Sequence, residues 1–67
     1  MKDKKIRSVE EDIKNALQVF NNISDIGYFL NLHRTTIYWY IKNNKMPFTA
    51  RSKLLKETNR RLKMLTD

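Results

Sequence analysis

Apolar residues recur at three- and four-residue intervals along this chain, and they group into four runs. In the first run Val9, Ile13, Ala16, Leu17 and Phe20 fall on one helical stripe. Ser8-Val9-Glu10-Glu11 has the form of a capping box, with Ser8 as N-cap and Glu11 at the third helical position. The acidic first turn also suits the positive end of a helix dipole. A helix over 8–20 is therefore predicted, and Asn21-Asn22 breaks it and begins the next. The second run, Ile23, Ile26 and Leu30 with Gly27 on the same face, predicts a helix over 23–31. The third, Ile37, Tyr40 and Ile41, predicts one over 34–43, closed by Asn43-Asn44-Lys45. The fourth, Ala50, Leu54, Leu55, Thr58, Leu62 and Leu65, predicts a helix over 47–65. Pro47 fits its first turn, where a missing N–H costs nothing. Lys53, Lys56, Arg60 and Lys63 lie on its other side. With no strand signal the fold is expected to be all-α, a single domain over 8–67 preceded by a basic arm, 1–7, of the kind that frays.

Residues 23–42 carry the most information. Gly27 inside a helix costs roughly 1 kcal/mol relative to Ala. A glycine kept there lets another backbone come close. The turn falls near Asn31-Leu32-His33, and asparagine tolerates the left-handed conformation such a turn needs. Leu32 is expected to point inward, and His33 to cap the helix that follows. This is the pattern of a helix-turn-helix, whose second helix enters the DNA major groove. On that helix Thr35, Trp39 and Lys42 lie opposite the apolar face, Tyr38 flanks them, and Arg34 sits at the N-terminal end. Glu, Lys and Gln would give a plain surface helix better propensity. A row of Arg, Thr, Tyr and Trp makes sense against base edges and phosphates. Trp39 has a second reading, as a ring packed on residues 46–48 or across a dimer interface, and Arg34 has one as a solvated charge.

The stretch N-L-H-R-T-T-I-Y-W-Y-I-K-N-N-K-M-P resembles the turn, recognition helix and exit of Cro-like phage repressors and related small bacterial regulators. Those proteins show a glycine-hydrophobic turn, a polar helix start, a hydrophobic-x-x-Trp pair, a short polar loop and then hydrophobic-Pro. Here the pair is Ile37 and Tyr40 and the exit is Met46-Pro47. The tail T-N-R-R-L-K-M-L-T-D resembles their endings. The chain departs from the pattern at Asn31 for Gly, Tyr40 for Trp and Asn59 for Gly. The resemblance implies a compact four- or five-helix domain that binds operator DNA as a dimer. It also implies a break in the last helix near Asn59, against the continuous apolar stripe, which favours one helix. The DNA-facing set is His33, Arg34, Thr35, Thr36, Tyr38, Trp39 and Lys42, with weaker phosphate contacts from Lys45 and Lys53. For a homodimer, the interface candidates are Leu62, Met64 and Leu65 and the segment around Phe48.

Fourteen basic and seven acidic residues leave a formal charge of +7 on 67 residues, with a pI near 10.0. Such an excess suggests a polyanionic partner. There is no cysteine, and one histidine cannot build a metal site, so no cofactor is expected. No apolar run is long enough to span a bilayer, no small-molecule substrate is implied, and a bacterial cytoplasm or nucleoid is the expected location. Three of the seven acidic residues cluster in Glu10-Glu11-Asp12, read as helix-capping, so no paired carboxylates in a cleft and no enzyme are expected. Two other readings stand beside a repressor. One is a DNA-recognition subunit of a larger assembly, of small-terminase or excisionase type. The other is an interaction or membrane-surface module built on the basic C-terminal helix.

Overall fold

A computed structural model describes residues 8–66, and the expectation for the arm over 1–7 lies outside them. Four helices follow in chain order: α1 (Val9–Ala16), α2 (Ile23–Leu30), α3 (Arg34–Asn43) and α4 (Phe48–Thr66). No strand occurs among the described residues. The core gathers Val9, Ile13, Ala16, Phe20, Ile26, Leu30, Ile37 and Leu54, so all four helices and the turn after α1 contribute. Leu32, Tyr40, Ile41 and Met46 pack against it, half-buried.

The capping box at Ser8 forms. Its hydroxyl accepts from the Glu11 N–H at 3.1 Å, and the Glu11 carboxylate accepts from the Ser8 N–H at 3.2 Å. Regular helix stops at Ala16, four residues short of the Phe20 that the apolar stripe suggested. The Gln18 and Val19 N–H groups bond three residues back, to Asn15 and Ala16, and this tightens the chain. The turn carries Phe20 into the core and swings Leu17 outward, contrary to its place in the stripe.

Two helices end in the same way. Asn31 (φ 61°, ψ 43°) and Asn44 (φ 52°, ψ 43°) are left-handed. After α2, the Leu32 N–H reaches the Gly27 carbonyl at 2.7 Å and the Asn31 N–H reaches that of Tyr28 at 3.2 Å. After α3, Lys45 reaches Tyr40 at 3.1 Å and Asn44 reaches Ile41 at 3.3 Å. Both are Schellman endings, which satisfy carbonyls a helix would otherwise leave open. At Gly27 the return is tight enough that a Cβ would sit 2.6 Å from the Leu32 carbonyl oxygen. The glycine therefore serves a backbone contact with the turn.

α4 is one unbroken helix, without the break near Asn59. Glu57 spans that point by pairing with Arg60 at 2.8 Å and Arg61 at 2.6 Å. Pro47 stands one residue before the helix, and its carbonyl accepts the first bond, from Arg51. Leu54 and Thr58 are the last fully buried residues of α4, and Leu65, expected in the stripe, is 71% exposed. Two cations clip α4 to the aromatic pair Phe20–Phe29, whose rings are 5.6 Å apart. Lys53 lies 5.2 Å above Phe29 and Arg61 lies 4.2 Å above Phe20. Asp12 does more than cap α1. It is 2% exposed and takes the Arg51 guanidinium at 2.6 Å, which ties α1 to α4.

Gly27→Ala should lower the melting temperature, although the same change in an open helix would raise stability by about 1 kcal/mol. Asn31→Gly should be neutral or add at most about 1 kcal/mol, and Asn31→Val should destabilise, because a β-branched residue resists positive φ. Thermal melts by circular dichroism read all three; a Gly27→Ala protein as stable as the parent would remove the close contact.

The hydrogen bonds and charges of Arg60 and Arg61 hold the Glu57 carboxyl down to about 2 from an ordinary 4.5. Its folded value lies below its unfolded value. The contribution is therefore complete above about 4.5 and lost as pH falls toward 2. Glu57→Gln should melt below the parent at neutral pH, and the gap should close as pH approaches 2. A gap independent of pH would mean that the side chain stabilises α4 by something other than its charge.

Candidate nucleic-acid interface

α3 is held at both ends. At its start, the Leu32 carbonyl rests on Gly27 and the His33 side chain caps the helix. His33 Nδ1 accepts from the Thr35 N–H at 3.2 Å and lies 2.9 Å from the Thr35 hydroxyl. A backbone N–H can only donate, so Nδ1 is the acceptor and the ring proton belongs on Nε2. At its end, the Asn44 side chain accepts from the Val9 N–H at 2.8 Å. One asparagine thus closes α3 and caps the buried start of α1.

Between these ties α3 turns Ile37 fully inward, with Tyr40 and Ile41 half-buried beside it. The opposite side is open. Thr35, Tyr38, Trp39 and Lys42 lie at i, i+3, i+4 and i+7 and are all exposed. Tyr38 is 53% and Trp39 54% exposed, a large aromatic area left in water on so small a domain. The Trp39 ring meets Tyr40 edge-on at 6.0 Å. Arg34 is exposed in the first turn and Thr36 is half-buried between the two sides. Lys45 is exposed just past Asn44. Six of the nine sequence-predicted residues, Arg34, Thr35, Tyr38, Trp39, Lys42 and Lys45, therefore share the outer side of α3 or its exit. His33 is tied up in capping. Lys53 belongs to α4, its ammonium over Phe29, and is not part of this row.

The distribution of charge sharpens the picture. Residues 26–56 contain six basic residues and no acidic one, so nearly all of the +7 resides in the stretch centred on α3. Whole-chain charge conceals this, although the segregation is plain in the sequence. Arg51 is the member of the six turned inward, onto Asp12. Chemically, the row offers a guanidinium able to pair bidentately with a guanine edge and hydroxyls for base edges or phosphates. It also offers ammonium groups for phosphates and aromatic surface for a thymine methyl or a sugar.

Among the described residues no cluster of histidine, cysteine and carboxylate side chains could hold a metal ion, and no helix is long and apolar enough to cross a membrane. No known family's sequence profile matches this chain, and no characterised protein or solved structure does.

His33→Ala should remove the cap of α3 and cost about 1 kcal/mol, a fall in melting temperature of roughly 4–8 °C for a domain of this size. His33→Ser should recover most of it. If alanine melts with the parent, the Nδ1 contact to Thr35 carries no stability.

Proposed function

We propose that this chain is a helix-turn-helix protein that binds duplex DNA in a sequence-specific manner and acts as a Cro-like transcriptional repressor by occupying an operator. α2 and α3 form the motif, and α3 enters the major groove with its N-terminal turn toward the base edges. The observation that carries this reading is the outward row of α3, Arg34, Thr35, Tyr38, Trp39 and Lys42, set in a stretch without a single acidic residue. A tight turn leads into that row, and both ends of its helix are anchored, so the side chains are presented by a rigid element. The concentrated positive charge would draw the protein to DNA before any base is read.

The roles divide by position. Arg34 pairs with a guanine edge, and Thr35 reaches a base or a phosphate. Tyr38 and Trp39 supply apolar contact, and Lys42 and Lys45 meet phosphates. No catalytic step and no cofactor enter this function. Two copies would occupy half-sites about 34 Å apart on one face of the DNA. The apolar side chains proposed for that pairing are Phe48, 82% exposed in the first turn of α4, and Leu62, Met64 and Leu65 near its end.

Arg34→Ala should cost about 1–3 kcal/mol on the best site and relax preference at one base position. Lys56→Ala, on another helix, should weaken all sequences alike if it acts at all. Log affinity should fall with log salt at a slope near −0.9 per neutralised phosphate. Selection of duplexes from a random pool, followed by titrations with both variants, tests this. The same uniform loss for both variants, with unchanged base preference, would leave a general polyanion binder and refute sequence reading by α3.

A further inference from the structure

The first turn of α3 fixes the polarity of one hydroxyl. His33 Nδ1 accepts from the Thr35 N–H at 3.2 Å, so it carries no proton. The Thr35 hydroxyl oxygen lies 2.9 Å from the same nitrogen. Two groups that both offered lone pairs would repel at that distance. The hydroxyl proton therefore sits between them, and Nδ1 accepts twice from one residue. A hydroxyl has one proton to donate and two lone pairs to accept with. With its proton committed to Nδ1, the exposed Thr35 oxygen faces outward as an acceptor only.

We propose that Thr35 is a specificity-determining residue that reads an exocyclic amine, adenine N6 or cytosine N4, and that His33 is the positioning residue that sets this polarity. This role rests on α3 entering the major groove, as proposed above, and it narrows what the first turn can read. In that groove adenine and cytosine present an amino donor, and guanine and thymine present a carbonyl oxygen. An oxygen that can only accept pairs with the amine and is repelled by the carbonyl. It is repelled by a phosphate as well, whose oxygens need a donor. Turning the proton toward either would forfeit the bond to Nδ1 and set two lone pairs against each other at 2.9 Å.

The neighbours give this acceptor its place. Arg34, one residue earlier, has only donors, and so has Lys42 farther along the row. The stretch 26–56 holds no carboxylate, the usual acceptor for a cytosine amine. The two side chains that open α3 thus ask opposite things of the bases, Arg34 an acceptor edge and Thr35 an amine.

Two measurements test this. The first needs no DNA. His33 is the chain's one histidine, so its ring nitrogens are assigned without ambiguity in the isotope-labelled full chain. In alkaline buffer, where the ring is neutral, the proton should be found on Nε2, with Nδ1 bare. A proton on Nδ1 would overturn the proposal, because that nitrogen would then donate to Thr35 and free the hydroxyl. The second uses the duplex enriched by the parent chain. Thr35→Val, close in shape and at an exposed position, should keep the helical circular dichroism and relax preference at one base pair. There the strand read by α3 should carry adenine or cytosine. An analogue lacking only the amine, such as purine for adenine, should weaken the parent roughly three- to tenfold and leave Thr35→Val unchanged. His33→Ala, measured below its melting transition, should narrow the discrimination between the base and that analogue, which a merely structural loss would leave intact. Unchanged discrimination in His33→Ala, or an amine deletion that the parent ignores, would overturn the proposal. So would a Thr35→Val loss uniform over all sequences, which marks a phosphate contact, or one that follows the thymine methyl when uracil replaces thymine. A pool that yields no enriched duplex would defeat the repressor reading and this role with it. An enriched duplex that fails the amine test defeats this role alone.

Discussion

A backbone resting on a backbone sets the form of this domain. The Leu32 carbonyl lies where the Gly27 side chain would be, and the Leu32 N–H bonds back to the Gly27 carbonyl. No residue with a Cβ permits that approach without a shift. The left-handed Asn31 reverses the chain at once, and three residues separate α2 from α3. With so short a connection, Ile26 and Leu30 on one helix and Ile37 on the other meet in one core. The orientation of α3 follows, and with it the identity of the side chains left facing water. The intrinsic cost of glycine within α2, about 1 kcal/mol, is offset by a core that a wider turn would not close.

The remainder of the fold keeps α3 in that place. Asn44 binds the end of α3 to the start of α1, so α3 cannot swing at its free end without exposing the buried Val9 N–H. Arg51 and Asp12 fasten α4 to α1, and Lys53 and Arg61 seat α4 on Phe29 and Phe20. Breaking a buried pair such as Asp12–Arg51 from one side strands a charge in the core, which destabilises far more than losing an exposed pair. With eight buried apolar residues among those described, the core is small, and these polar ties add to what it supplies. A rigid support of this kind lets one helix display aromatic and basic side chains outward without collapsing onto them.

Local patterns in the sequence foretell the helices, their order, the Ser8 capping box and the left-handed Asn31, because each depends on residues within about four positions. They do not foretell where α1 ends. That point is set by Phe20 entering the core and by Arg61 taking the Val19 carbonyl from 42 residues away. The second task of Asn44 is hidden for the same reason, its partner Val9 being 35 residues off, and so is the Arg51–Asp12 pair at 39. Asp12 reads as one acid among three at a helix start, and only the packing of α4 buries it. On the candidate interface, Tyr38, Trp39 and Lys42 are legible from helical spacing. Lys53 is not, since its engagement with Phe29 depends on how α4 crosses α2. The absence of acidic residues over 26–56 needs no structure at all, only attention to where the charge falls.

Titration of the labelled protein with a duplex enriched from a random pool, read residue by residue in amide shifts, is the most direct measurement of whether α3 is the DNA-reading element. The largest shifts should fall on Arg34, Thr35, Tyr38, Trp39 and Lys42, with the Trp39 indole N–H among them. Shifts centred on the basic side of α4, or spread evenly over every lysine and arginine whichever duplex is added, would contradict it.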